Sequence, residues 1–210
     1  TVTYLIRHLL NQFGVKNALI GTIKYFIADE ARNAYCTTPD YLFLRKFLFN
    51  AQKENIKYII MEVSSHGIAQ KRIEGIMFTQ CIFTNLSRDH LDYHSDMDEY
   101  FSVKKRLFLD NHRAVSIINT DDEYGRALFS GIAGTKYSYG FNGNAYYRIV
   151  NYELGRAGLK FTFSIRRNSL NVRSRLIGKY NIYNILSSLA SINGMGFPLD
   201  EAVSFIYSFS

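Results

Sequence analysis

Little in this chain speaks for staples, membranes or familiar hydrolase chemistry. Its 210 residues contain two cysteines, Cys36 and Cys81. They make no disulfide framework, and neither sits at metal-ligand spacing from the other, which suits a reducing cytosol. No apolar run approaches the roughly 20 residues that span a bilayer. The opening Thr1-Val2-Thr3-Tyr4 lacks the basic and long apolar regions of a signal peptide. The expectation is a cytoplasmic protein with no membrane insertion. Gly-x-Ser-x-Gly is absent, and adjacent residues rarely orient as nucleophile and base, so Ser64-Ser65-His66 is not a hydrolase centre. His-Glu-x-x-His is absent too. There is no internal repeat, no low-complexity segment and no recognised RNA or DNA motif, so no nucleic-acid partner is expected.

What is present fits one globular domain with a real core. Hydrophobic residues make up 47 % of the chain. The net charge of +7 is spread along it, apart from Arg166-Arg167 and Arg173 with Arg175. A phosphorylated small molecule satisfies that charge as well as nucleic acid does, and a solvated basic surface accounts for it equally. The chain opens without Met, already in a helical pattern, and stops without a cap or tail, so it is expected to be a segment of a longer protein.

The order of elements points to an α/β fold. Leu5, Ile6, Leu9, Leu10 and Phe13 share a helical face, and Gly14 offers a stop. Ala18–Thr22 reads as a short buried strand. A helix running into a parallel strand is half of a right-handed crossover, whose other half would be a strand and turn just before Thr1. Tyr35–Asp40 reads as a loop, with Thr38 held extended by Pro39. A helix over about 41–55 is expected to bury Leu42, Leu44, Phe47 and Leu48. Strands follow at Tyr58–Val63, Phe78–Thr84 and Ala114–Ile118, with a helix at Asp98–Leu109. This predicts a Rossmann-like, mostly parallel sheet with helices on both faces. After Gly134 the pattern changes. Tyr137–Tyr139, Tyr146–Tyr152, Leu159–Ile165 and Leu170–Arg175 alternate around turns and predict a small antiparallel patch. Gly178-Lys179-Tyr180-Asn181 leads into a helix, and Pro198 sits near the start of a last one.

Two strands deliver chemistry at their C-terminal ends, the edge where open parallel sheets bind ligands. Tyr58-Ile59-Ile60-Met61 ends on Glu62. A carboxylate there must be paired or bind a metal, and a hard oxygen ligand suits Mg²⁺; a salt-bridged Glu is the plainer reading. Cys81-Ile82-Phe83-Thr84 leads to His90 and His94. Their i, i+4 spacing permits metal ligation, as it permits hydrogen-bonded structural histidines. Lys104 and Lys105 are solvated or phosphate-facing, unless burial keeps an amine neutral enough to react with CO₂. Thr37, Thr38, Ser64 and Ser65 bring hydroxyls to the same edge, and Gln70 and Arg72 can donate to a phosphate or carboxylate.

Laid end to end, three stretches resemble the Mur ligase family, and within it the tripeptide-synthetase (MurE) type. They are Glu62-Val63-Ser64-Ser65-His66-Gly67, then Phe83-Thr84-Asn85-Leu86-Ser87-Arg88-Asp89-His90-Leu91-Asp92-Tyr93-His94, then Met97-Asp98-Glu99-Tyr100-Phe101 with Lys104 and Leu107-Phe108. Ile20-Gly21-Thr22, Thr37-Thr38-Pro39, Asn119-Thr120-Asp121-Asp122 and Gly178-Lys179-Tyr180-Asn181-Ile182-Tyr183-Asn184 support it in order along the whole chain.

The resemblance implies an ATP-dependent carboxylate–amine ligase of peptidoglycan precursor synthesis. It would add a diamino acid or lysine to UDP-MurNAc-L-Ala-D-Glu through an acyl phosphate, with Mg²⁺ screening the charge around the phosphoryl group. By position, Glu62 and His90 would ligate Mg²⁺, and Lys104 would be N6-carboxylated and act with them in catalysis. Thr37, Thr38, Ser64, Gln70 and Arg72 would contact the UDP-MurNAc-dipeptide, and Asn181 and Asn184 would lie near the adenine of ATP. The chain departs from the family in lacking its phosphate loop, G-T-x-G-K-T, expected immediately before Thr1. The N-terminal UDP-binding and C-terminal amino-acid-binding domains are absent as well. Cys36 stands where the family usually has Asn. Residues 1–210 are thus expected to be the central ATP-binding domain, inactive alone. The alternative is a non-catalytic remnant that binds a nucleotide-sugar peptide or a protein partner.

Overall fold

The computed structural model describes residues 1–87 and 95–209. Helix α1 (Val2–Gln12) turns Leu5, Ile6, Leu9 and Leu10 inward. It closes where Gly14 takes φ +69°, a left-handed conformation that glycine adopts without strain. Strand β1 (Asn17–Ile20) is buried along its whole length. A hairpin of β2 (Lys24–Ile27) and β3 (Glu30–Asn33) follows. Helix α2 (Tyr41–Lys53) begins where the Asp40 carboxylate accepts from the Phe43 amide, satisfying a free helix N–H. Then come β4 (Tyr58–Met61), α3 (Ser65–Ala69), β5 (Gln80–Phe83), α4 (Met97–Asp110), β6 (Val115–Asn119), α5 (Glu123–Gly131) and β7 (Lys136–Gly140). The chain finishes with β8 (Tyr147–Gly155), β9 (Gly158–Ile165), β10 (Asn168–Ser174), α6 (Tyr180–Gly194) and α7 (Leu199–Phe205).

The strands form two sheets, ordered β3-β2-β1-β4 and β10-β9-β8-β7-β6-β5. β1 and β4 run parallel with Leu19 opposite Ile60. β5, β6 and β7 run parallel with Ile82 opposite Ile117. β8, β9 and β10 are antiparallel.

Side-chain alternation sends each strand's residues into two helical layers. Ile60 and Ile117 join α1 and α6 in one core. Ala18 and Ile20 pack with α2, while Cys81, Phe83 and Ile118 pack with α4 and α5. The result is the expected α/β architecture, covered on both faces, with the antiparallel patch at one end.

Four details differ from the sequence reading. The β2–β3 hairpin was not foreseen; every residue of β3 is exposed, so the segment carries no apolar period to detect. Helix α5 went unnamed in that reading. Tyr137–Tyr139 belong to β7, which pairs parallel with β6 and so extends the parallel sheet, not the antiparallel patch. Leu42 is 77 % exposed, whereas Leu44 and Phe47 are buried. One turn of α2 cannot turn both Leu42 and Leu44 to the same face, since residues two apart point about 200° apart.

β4 and β5 each pair on one side only, so each is the edge of its sheet. The two edges face each other across a cavity of about 610 Å³, lined by residues on both.

Burial predicts how core and surface differ. Leu9→Ala, at a position with no exposure, is expected to cost about 2–5 kcal/mol in urea unfolding. Leu42→Ala is expected to stay within about 0.5 kcal/mol of the parent.

Candidate functional site

The site gathers around the end of β4. Glu62 follows the last residue of that strand, and its backbone N–H still pairs with Ile20. Its carboxylate accepts three hydrogen bonds. Thr3 Oγ1 donates to Oε1 at 2.8 Å. Thr22 donates to Oε2 twice, from Oγ1 at 2.6 Å and from its backbone N at 2.9 Å. All three donors are neutral, and among the described residues no side-chain cation pairs with this carboxylate. Burial alone would raise the pKa of Glu62. The hydrogen bonds from Thr22 and Thr3 outweigh that and hold it below the usual carboxylate value. The group is therefore a preorganised anion that, among the described residues, has no side-chain cation as its partner; the N-terminal ammonium of Thr1 adds only a minor favourable charge. It is a hard oxygen donor of the kind a divalent cation takes, although among the described residues no group of three or more His, Cys, Asp or Glu side chains gathers around it.

The hydroxyl loop is wired to the same carboxylate. Thr22 Oγ1 lies 3.2 Å from Thr37 Oγ1. Thr38, almost fully buried, donates from Oγ1 to the Glu62 carbonyl at 3.0 Å and accepts from the Ser64 amide at 2.9 Å. Ser64 caps α3 by accepting from Gly67 N–H. A Cβ on Gly67 would stand 2.4 Å from Thr38 Cγ2, so this close approach needs glycine. Arg72 reaches back, donating to the Thr38 carbonyl at 2.7 Å and twice to Gln70 Oε1. Tyr25 holds the loop from behind: its hydroxyl donates to the Cys36 carbonyl and accepts from the Cys36 amide. Thr37, Thr38, Ser64, Gln70 and Arg72 thus form one connected network with Glu62.

Lys104, on α4, lines the same cavity as Glu62, Thr84 and Asn184. Burial of its amine lowers its pKa. Among the described residues it has no hydrogen-bond or ion-pair partner; its Nζ lies 5.3 Å from the centre of the Tyr100 ring. His90 lies outside the described residues, as does His94.

The ends of β6 and α6 complete the rim. Asn119 Nδ2 donates to the Thr84 carbonyl and ties β6 to the end of β5. The Asp121 carboxylate accepts from the amides of Phe141 and Asn142 and from the Tyr183 hydroxyl at 2.9 Å, locking the first turns of α6 to the sheet. There Asn184 Nδ2 donates to Asn181 Oδ1, and Asn181 Nδ2 donates to the Ile177 carbonyl. Asn184 faces the cavity wall; Asn181 is not among its lining residues.

Two residues that organise the centre were missed from sequence. Thr3 is a hydroxyl at a buried position of an otherwise apolar helix face, which was a readable signal. Thr22, which follows β1, has no such mark, because its role depends on β4 lying beside β1.

Comparison with known proteins identifies the family and the fold. The model of the Mur ligase middle domain matches residues 1–192. The UDP-N-acetylmuramoyl-L-alanyl-D-glutamate--2,6-diaminopimelate ligase 1 of Clostridium acetobutylicum is 37 % identical over 96 % of this chain. The corresponding ligase of Geobacter sulfurreducens is 36 % identical over 95 %. A solved structure of a ligase with that name superposes over 100 % of the chain, with a TM-score of 0.90 and 28 % identity. MurF from Acinetobacter baumannii, at 16 % identity and a TM-score of 0.79, shares the fold. The chain spans 41 % of the length of both curated relatives and 44 % of the first structure. With a middle-domain match over most of its length, the chain belongs to the Mur ligase family.

Proposed function

We propose that this chain is the ATP-binding middle domain of a ligase that joins an amino acid to the D-Glu carboxylate of UDP-MurNAc-L-Ala-D-Glu. The observation that carries it is the Glu62 carboxylate, which has no side-chain cation partner among the described residues and is held in its charged form by Thr3 and Thr22, on the cavity that Lys104 also lines. The phosphate loop belongs just before Thr1, and the UDP-binding and amino-acid-binding domains belong on either side of this one. In the reaction the substrate carboxylate attacks the γ-phosphate of ATP and ADP leaves. The incoming amine then attacks the acyl carbon, loses a proton and expels phosphate.

Each residue has a task. Glu62 and His90 would hold Mg²⁺, which when bound screens the negative charge around the transferring phosphoryl group. Desolvation favours the neutral amine of Lys104. That amine adds to CO₂, releases a proton to solvent and becomes a carbamate, an anionic oxygen donor on the same cavity. Thr37, Thr38, Ser64, Gln70 and Arg72 would seat the dipeptide and its phosphates. Their shared hydrogen bonds fix them relative to Glu62, so substrate and metal ligand keep one geometry. Asn181 and Asn184 would face the adenine, held by the Asp121–Tyr183 tie.

Two outcomes follow. The 210-residue chain alone is expected to release no phosphate above background. Joined to the segments that flank it in its source genome, it should release phosphate only when both UDP-MurNAc-dipeptide and an amino acid are present. There, Glu62→Gln or Lys104→Ala should lower kcat/KM by about 10²-fold or more. Turnover by the isolated chain, or full activity of both variants, would overturn the reading.

The second outcome concerns the carboxylate itself. The folded pKa of Glu62 lies below its unfolded value. Ionised Glu62 therefore contributes stability that is present above the unfolded pKa and is lost as pH falls through the folded one. Thr22→Val removes a side-chain donor and leaves the desolvation. The Glu62 pKa, followed by carboxyl NMR, should rise from its depressed position towards or above the ordinary carboxylate value, because desolvation then meets one donor fewer.

A further inference from the structure

A smaller cavity, of about 150 Å³, lies between the β2–β3 hairpin and α2. The hairpin register builds one side of it. Tyr25 pairs with Arg32, and Ile27 with Glu30. Directly opposed residues send their side chains to one face, and residues two apart on a strand share it, so these four project together. All four line the cavity. Helix α2 supplies the other side with Phe43 and Phe47, one turn apart, and with Lys46 beside them. On this face β2 brings apolar side chains and β3 brings only charged ones. The hairpin therefore leaves space over the helix that hydrocarbon does not fill.

The floor is aromatic. Tyr25 is 3 % exposed and Phe47 7 %. The Phe43 ring lies 5.3 Å from that of Tyr25 and 6.2 Å from that of Phe47. An apolar cavity of about 150 Å³ has room for a benzene-sized ring, and aromatic walls receive one edge-on or offset. The rim is charged. Arg32 and Lys46 are exposed cations there, and Glu30 is an exposed anion. Among the described residues none of the three has an ion pair or a side-chain hydrogen bond. A guanidinium fork matches a carboxylate, and Glu30 repels a second one.

One wall is tied to the hydroxyl loop. The Tyr25 hydroxyl donates to the Cys36 carbonyl and accepts from the Cys36 amide, and Thr37 and Thr38 follow directly. A ring packed against Tyr25 restrains the side chain that clasps this loop.

We infer that the cavity is an effector site for a single-ring aromatic carboxylate. The ring sits on Tyr25, Phe43 and Phe47, the carboxylate on Arg32 and Lys46, and occupancy steadies segment 36–38 through Tyr25. The site shares no lining residue with the cavity of Glu62 and Lys104. Its binding requires no phosphoryl transfer, so it stands or falls apart from the ligase reading.

The test is an NMR titration with benzoate. It is run on the 210-residue chain and on the same chain joined to the segments that flank it in its source genome. In both, amide signals of Tyr25, Ile27, Phe43 and Phe47 should move saturably, with a Kd of about 1 mM or tighter. Amides 36–38 should exchange about threefold or more slowly. Benzyl alcohol has the ring without the charge, and acetate the charge without the ring; each should bind about tenfold or more weakly. Benzoate should lose a similar factor on Arg32→Gln combined with Lys46→Gln, two exposed positions where the fold tolerates change. Tyr25→Phe should keep the benzoate affinity and lose the slowing at 36–38. The proposal is overturned by no saturable shift, by equal binding of benzyl alcohol or by undiminished affinity in the double variant. Unchanged exchange at 36–38, or binding lost once the flanking segments are joined, would overturn it as well.

Discussion

Hydroxyl donors on the Glu62 carboxylate set the geometry of everything around them. A half-buried carboxylate needs either a cation or several aligned dipoles. This chain uses dipoles, two of them from the single residue Thr22 and one from Thr3. Among the described residues that choice leaves the carboxylate without a side-chain cation. It also ties α1, the end of β1 and the end of β4 to one atom group. The substrate loop inherits its position from there, through Thr22–Thr37 and through Thr38 on the Glu62 backbone.

Much of this was legible in the sequence, and the gaps have physical causes. Short apolar runs ending in polar residues mark buried parallel strands, so β1, β4, β5 and β6 were readable. So was the rule that their C-terminal ends carry chemistry. Glu62 could be placed by that rule alone. Lys104 could not, because desolvation of an amine depends on what covers it, and α4 looks like an ordinary amphipathic helix. Its role came from resemblance. The hairpin β2–β3 was invisible because β3 buries nothing and its turn is made at Ala28, at φ +49°, with no glycine to announce it. Tyr137–Tyr139 alternate like an antiparallel strand, yet alternation reports burial on one face, not the direction of a neighbour.

The two ionisable groups on the cavity are tuned in opposite senses, by one rule. Lys104 is desolvated with no compensating hydrogen bond or ion pair among the described residues, so its charged form is disfavoured. Glu62 is desolvated too, but three donors favour its charged form, which wins. An anion and a neutral-leaning amine on one cavity suit a site that gathers cations and phosphates. The net charge of +7 lies elsewhere on the chain, in groups such as Arg166-Arg167.

The split sheet bears on the same centre. Glu62 and Thr84 extend the ends of β4 and β5, the two edges that face the cavity. Their separation is set by whatever holds those edges apart. α1 and α6 bridge the two sheets on one side through the Ser188–Val2 bond and a shared core, which fixes the halves against that layer only. Ligands on opposite lips of a slot are only as well placed as the slot is rigid, and sites work when their groups sit within about half an ångström of the productive geometry. The shared core of α1 and α6 is therefore what sets the distance between the Glu62 side of the site and the Lys104 side.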